Sequence, residues 1–261
     1  MRLIPGRRRS DEERVAAMTI VEHLTELRRR VILALWAVAA GAIIGWFLWD
    51  PFIELIREPF CDFLRDHPEQ APASGCTLTF LGPFDGFTVR MKTTLFLGLA
   101  IALPVVMYQL WAFIVPGLTA KEKRWTIPFV VASFLLFLCG AVLAYFVLPK
   151  SLDFLLGFAG EAIVPTLTVD RYVGFVTLLT LAFGISFLFP VVLVFLELVG
   201  VVSPRTLGRY RRYAILVISL IAAILTPGQD VVSMLAMMLP MYLFYEAAII
   251  IGRSVKRDAG T

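Results

Sequence analysis

The sequence predicts an all-α integral membrane protein with six transmembrane helices, both termini cytoplasmic, and short fifth and sixth spans. Three observations predict it. Hydrophobic residues make up 59% of the 261-residue chain and charged residues 17%, where a soluble domain is about half apolar and about a quarter charged. The apolar surplus is gathered into six runs, and a helix of roughly 20 such residues crosses a bilayer. Lys and Arg crowd one side of those runs, which fixes orientation. The chain then divides into a cytoplasmic segment over 1–30, one membrane domain over 31–251 and a cytoplasmic tail over 252–261.

The runs fall at about 31–49, 87–115, 126–148, 171–199, 213–226 and 231–251. The first starts behind a polar head and is too long for the apolar core of a cleavable signal, so it reads as a span that stays. It ends at Trp46 and Trp49, an interfacial aromatic belt. The second run carries Pro104, the fourth Pro190 and the sixth Pro240. At 1.5 Å per residue the fourth is roughly 43 Å long, against a hydrocarbon core of ~30 Å. It must tilt or bend, and Pro190 supplies the place. The fifth is roughly 21 Å long, and TPGQD (Thr226 to Asp230) returns the chain at once. A hairpin that short thins the bilayer or admits water near its turn. Pro-Gly makes the turn, and Asp230 is placed to cap the sixth helix.

Sidedness follows from the cations. Arg28, Arg29 and Arg30 stand just before the first run, after which no residue is charged until Asp50. The head, the loops at about 116–125 and 200–212, and the tail hold eighteen of the 24 Lys and Arg. The opposite loops, at about 50–86, 149–170 and 227–230, hold three, or six with Arg90, Lys92 and Arg171 at helix entries. Both termini are therefore expected in the cytoplasm. Loop charge bias also accounts for the net charge of +4 without any nucleic-acid partner.

The 50–86 loop is rich in Pro and Gly, Pro59 among them, and PFIELIREPF and CDFLRD read as two short amphipathic surface helices. Cys61 and Cys76 both lie there, facing an oxidising compartment, and are candidates for a disulfide that spacing alone leaves open. Cys139, inside the third run, reads as a small core residue.

Catalytic and cofactor signatures are missing. The sequence has no phosphate-binding loop, no HExxH, no nucleophile elbow and no paired-Cys metal site. Its two histidines, His23 and His67, fall on opposite sides of the membrane, so they share no site. No enzyme, metal or cofactor is expected. No internal repeat supports an inverted-repeat transporter.

The residues left for function are polar groups near the span ends. Thr19 and Glu22 form a capping box, so the head begins a helix, and Glu26 reaches Arg29 and Arg30 at helical spacing. Glu122 is flanked by Lys121, Lys123 and Arg124, which favour its ionised form. Two ionised carboxylates on one membrane face would dock guanidinium groups, since an arginine gives a carboxylate two hydrogen bonds and a lysine cannot reproduce that. Solvated salt-bridged charges are the plain alternative for both. Gln109, Glu197 and Glu246 lie near the cytoplasmic ends of runs two, four and six, where a polar group is either functional or snorkelling.

Six segments occur in a familiar order: EHLTELRRR (Glu22 to Arg30), YQLWAFIVPGLTAKEKR (Tyr108 to Arg124), FGISFLFPV (Phe183 to Val191), SPRTLGRYRRY (Ser203 to Tyr213), LTPGQD, and LPMYLFYE (Leu239 to Glu246). Together they resemble the TatC family, the polytopic core of the twin-arginine protein translocase, over about 19–252. The resemblance implies a receptor in the bacterial cell membrane for folded export substrates that carry twin-arginine signal peptides. It implies single-span partners of the TatA/TatB type, a homo-oligomeric receptor complex embedded in membrane lipid, and drive from the proton gradient. Glu26 and Glu122 match the family's signal-recognition carboxylates, and Arg28 and Phe113 match positions tied to that site. Pro59 matches a loop proline, Asp230 the acidic residue of the 5–6 turn, and Thr226 the region where partner subunits dock. The chain departs from the pattern at Leu188, where many relatives have Glu before the span-four proline. It departs again at Met234, where many have Gln.

Two other readings compete. A small-solute secondary transporter would use a mid-bilayer polar site on discontinuous helices, for which Glu197 with Pro190 is the best material. A respiratory membrane anchor would need haem-ligating histidines in its spans, and the runs contain none.

Overall fold

The computed structural model describes residues 20–68, 75–114, 126–157, 167–228 and 230–258. Nine helices are described. Helix α1 (Ile20–Phe47) has 28 residues and runs from the charged head into the first apolar run without interruption. Residue 30 is thus a boundary of composition and not of structure. Thr19, the expected cap, lies outside the described residues.

Helix α2 (Trp49–Asp66) corrects the expectation of two short surface helices: the chain makes one helix of 18 residues with Pro59 inside it. A proline in a helix leaves the carbonyl four residues back without a donor. That carbonyl belongs to Leu55, and the Tyr145 hydroxyl donates to it at 3.4 Å. The helix is amphipathic. Ile56, Pro59, Phe60, Phe63 and Leu64 are buried, while Asp50, Glu54, Glu58, Asp62 and Asp66 are exposed. Cys61 and Cys76 form a disulfide with their Cα atoms 5.3 Å apart, tying α2 to the segment after it.

Helix α3 (Asp85–Ile114) keeps its course through Pro104. Helix α4 (Thr126–Gly157) is longer than its run and includes Pro149, so it extends into what the sequence reads as the 149–170 loop. The fourth run is broken as expected. Helix α5 (Val169–Ser186) stops, and helix α6 (Phe189–Leu198) restarts with Pro190 in its first turn. A short α7 (Pro204–Arg209), capped by Ser203, leads into α8 (Arg211–Leu225). Helix α9 (Val231–Asp258) contains Pro240.

Among the described residues, five segments are long and apolar enough to cross a bilayer: Val21–Phe47, Asp85–Ile114, Thr126–Gly157, Val169–Leu198 and Val231–Gly252. The last is the shortest of them at 22 residues. Helix α8, at 15 residues, falls below that length.

The core lies among α2, α4, α5 and α9, where Phe60, Phe63, Tyr172, Phe183, Met237 and Ile249 are buried together. Helix α1 stands outside it against α3, and glycines bring the two backbones into contact. A Cβ on Gly98 would lie 2.6 Å from the Ala42 nitrogen and 2.8 Å from the Val38 oxygen. Small residues at such crossings drive helix association where no hydrophobic effect operates between helices. At the foot of this pair Arg90 stacks over Trp46 at 4.3 Å, a cation–π contact. Gly140 on α4 meets Phe183 and Gly184 in the same close manner.

Cys139 is exposed, which corrects its reading as a core residue. The face of α4 that packs inward carries Ser133, Phe137, Gly140 and Ala144, and residue 139 points away from it.

Candidate functional site

The α1–α3 contact places two rows of side chains together. On α1, His23, Glu26 and Arg30 share a face, being three and four residues apart. On α3, Gln109 and Phe113 are one turn apart. The imidazole of His23 stacks on the Phe113 ring, with centroids 4.4 Å apart and planes 20° from parallel. Arg30 joins the rows. Its Nε donates to Glu26 Oε1 at 3.1 Å and its Nη2 donates to the same oxygen. Its Nη1 donates to Gln109 Oε1 at 3.4 Å. Both side chains of the ion pair are mostly covered, Glu26 at 20% exposure and Arg30 at 23%. The other carboxylate oxygen, Oε2, is buried and has no hydrogen-bond partner among the described residues.

The end of α3 that carries these groups is held firmly. Trp111 Nε1 donates to Ser133 Oγ on α4 at 2.9 Å. The Trp111 ring stacks on Phe129 at 4.9 Å and meets Phe195 edge-on at 5.2 Å. Aromatic contacts of this kind fix an orientation as well as burying area.

The structure therefore brings Glu26, Phe113 and Gln109 together. Arg28 is exposed and makes no ion pair with Glu26, which is taken by Arg30. Glu122 lies outside the described residues. Helical spacing offers Glu26 both Arg29 and Arg30, and of the two it is Arg30 that takes it. Of the polar groups expected near span ends, Gln109 stands in this cluster, through its bond from Arg30.

Those remaining residues do not form one site. Thr226 is 2% exposed, and its hydroxyl donates to the Ala222 carbonyl at 2.7 Å. Asp230 is 1% exposed and caps α9 as expected, accepting the Ser233 N–H at 2.6 Å. Ser233 in turn shares a hydrogen bond of 2.5 Å with Ser151 on α4. At the far end of α9, roughly 33 Å away by helical rise, Glu197 is buried against Gly252, where a Cβ would overlap its carboxylate. Glu246 accepts from Arg211 at 2.7 Å and from the Tyr242 hydroxyl at 3.2 Å, clasping α8 to α9. Leu188, at the helix break, packs with Leu103, Met107 and Phe137, and the buried Ser186 beside it donates to Met237 Sδ at 3.2 Å. No group of His, Cys, Asp and Glu among the described residues could hold a metal ion.

Residues 22–240 match a protein-family model described as Sec-independent protein translocase protein (TatC). The protein of that name from Frankia casuarinae is 43% identical over 239 residues, covering 90% of this chain and 65% of that one. Its counterpart from Aquifex aeolicus is 40% identical, covering 92% of this chain and 97% of that one. The chain thus spans about two thirds of the Frankia protein's length and nearly all of the Aquifex protein's. A crystal structure described as the twin arginine translocase receptor TatC is similar at a TM-score of 0.71 and 39% identity, over 90% of this chain and 100% of that one. A second, in the detergent DDM, is similar at a TM-score of 0.72 and 40% identity.

Proposed function

The chain belongs to the TatC family of Sec-independent protein translocases, and on that premise we propose that it is the membrane receptor for twin-arginine signal peptides. Its work is protein transport and not catalysis of a covalent reaction. The patch of His23, Glu26, Arg30, Gln109 and Phe113 takes the signal peptide at the cytoplasmic face, with Glu122 as a second carboxylate and Arg28 at the rim. Single-span subunits of the TatA/TatB type then assemble around the receptor, itself a homo-oligomer in lipid, and the proton gradient drives export of the folded cargo.

The observation that carries this reading is the engagement of Glu26 by a guanidinium. The carboxylate is already arranged to accept from one, it is mostly withdrawn from water, and its second oxygen has no hydrogen-bond partner among the described residues. An arginine in a signal peptide presents the same fork of donors, and a lysine does not.

Orientation rests on the eighteen cations of the head, tail and intervening loops, which put both termini in the cytoplasm. The Cys61–Cys76 disulfide then lies on the oxidising side, where such bonds persist. Helix α8, roughly 22 Å long, makes the sixth crossing at a point where the bilayer thins. At Leu188 the family's usual glutamate is replaced by a side chain packed with Leu103, Met107 and Phe137, which does not favour the polar mid-bilayer site a solute transporter would use.

Co-purification with a twin-arginine precursor and with its Lys-Lys variant tests the proposal. Preferential retention of the twin-arginine form is expected. Equal retention of both, or unchanged crosslinking to the signal in a Glu26→Ala, Glu122→Ala double variant, overturns it.

A further inference from the structure

We infer that Arg30 is an internal competitor of the signal peptide: it occupies Glu26 in the empty receptor, withdraws to Gln109 when a signal arginine arrives, and thereby sets the receptor's affinity. The inference rests on the reading of Glu26 as a signal-peptide carboxylate.

Three features of the geometry carry it. First, Arg30 spends Nε and Nη2 on one oxygen of Glu26, Oε1. A guanidinium bound at full strength uses both oxygens of a carboxylate in parallel. An incoming arginine that makes that paired contact must take Oε1 from Arg30. Second, Arg30 already has another acceptor, since its Nη1 donates to Gln109 Oε1. Leaving Glu26 does not strand it. Third, the exchange is like for like. Glu26 and Arg30 are both mostly covered, and a half-buried carboxylate stripped of its cation is costly. Arg30 keeps the empty site neutral until another guanidinium replaces it.

The neighbouring cations do not share this role. Arg28 and Arg29 carry the same charge on the same turn, but both are exposed, and neither pairs with Glu26. Arg29 therefore separates the effect of charge in the vicinity from the effect of occupying the carboxylate.

The displacement cost falls on every ligand that needs Oε1. A paired arginine contact needs it, whereas a single-point lysine contact does not. Removing Arg30 should therefore tighten a twin-arginine peptide by the full factor and a Lys-Lys peptide by less. An exposed helical ion pair would give a factor of about two, and a charged hydrogen-bonded pair withdrawn from water about ten or more.

The test uses the full chain in lipid nanodiscs and a fluorescent synthetic signal peptide, with twin-arginine and Lys-Lys versions, read by anisotropy. For Arg30→Gln the twin-arginine peptide should bind about five- to tenfold tighter, and the Lys-Lys peptide should gain less. For Arg29→Gln the gain should stay under about twofold at physiological salt, where exposed charges are screened. In a Glu26→Gln background, adding Arg30→Gln should change nothing further, since there is no carboxylate left to contest. Arg30→Lys keeps the charge but not the fork, and should give a smaller gain. It also decides the matter if Arg30→Gln fails to fold. If the wild type prefers the twin-arginine peptide but neither Arg30 variant exceeds the Arg29 control, or either weakens binding, the competitor role is overturned and the receptor reading stands. If the wild type shows no preference and Glu26→Gln changes nothing, the receptor reading fails and this inference with it.

Discussion

Tyr145 on α4 donates its hydroxyl to the Leu55 carbonyl on α2, the acceptor that Pro59 leaves without its helical donor. One residue further on, the hydroxyl of buried Tyr172 donates to the Ile56 carbonyl at 2.5 Å. Two tyrosines from the spans thus hold the backbone of the surface helix at its weakest turn. Replacing a buried donor strands its acceptor, at about 1–3 kcal/mol. Tyr172→Phe should therefore lower unfolding stability in detergent by about 1–2 kcal/mol, and Tyr145→Phe by less, since that contact is exposed and longer. Unchanged melting temperatures for both would show that the proline turn is supported by packing alone.

The glycine contact between α1 and α3 should be intolerant of any side chain. Gly98→Val forces α1 away from α3, since the added carbons overlap the backbone of Val38 and Ala42. Overpacking of this kind costs about 1–3 kcal/mol, and here it also separates Arg30 from Gln109. Cysteines introduced at His23 and Phe113, whose rings stack in the native protein, should crosslink readily in the parent and poorly with Gly98→Val. Equal crosslinking in both would refute the role given to this crossing.

Neutralising Glu26 should weaken twin-arginine peptide binding about tenfold or more, the scale of a lost charged hydrogen-bonded pair. The same substitution should leave Lys-Lys binding much less affected, because a lysine makes a single-point contact. A uniform loss for both peptides would mean that Glu26 supplies charge and no recognition.

The disulfide gives a covalent test of the fold. Protein purified under oxidising conditions should take up one thiol-alkylating group, on Cys139, and three after denaturation with reductant. Closing a loop of that size contributes about 3 kcal/mol in the chain-entropy account, so reduction should lower the melting temperature. Three reactive thiols without reductant would exclude the bond.

Asp230→Ala removes the side-chain acceptor at the start of α9. A lost N-cap costs about 0.5–2 kcal/mol, and Asp230→Asn, which keeps an acceptor oxygen, should recover most of it. Equal destabilisation by both would point to the charge rather than the cap.

Much of this was legible in the sequence because it is local. The order of the apolar runs, a bend near Pro190 and the cap at Asp230 follow from neighbours a few residues apart, and one loop made Cys61 and Cys76 candidates for a pairing that spacing alone left open. What was not legible depends on contacts between distant segments. Nothing in the sequence pairs Gln109 with Arg30, which is 79 positions away. The two meet only because glycines let α1 and α3 touch. Helix α2 was expected in two pieces, because the support that Tyr145 and Tyr172 give its backbone comes from other helices. Cys139 was placed in the core because an apolar run does not reveal which of its faces meets lipid.

The inward turn of Thr226 and Asp230 has a consequence for genetics at the α8–α9 hairpin. Both side chains are buried and bonded to the protein's own backbone, so a neighbouring helix that approaches there meets Ile224, Val231, Leu235 and Leu239, all exposed. A loss-of-function phenotype at 226 or 230 therefore reports folding of the hairpin first. Recruitment of a neighbour is read cleanly only from the aliphatic ridge, by exchanging one branched side chain for another.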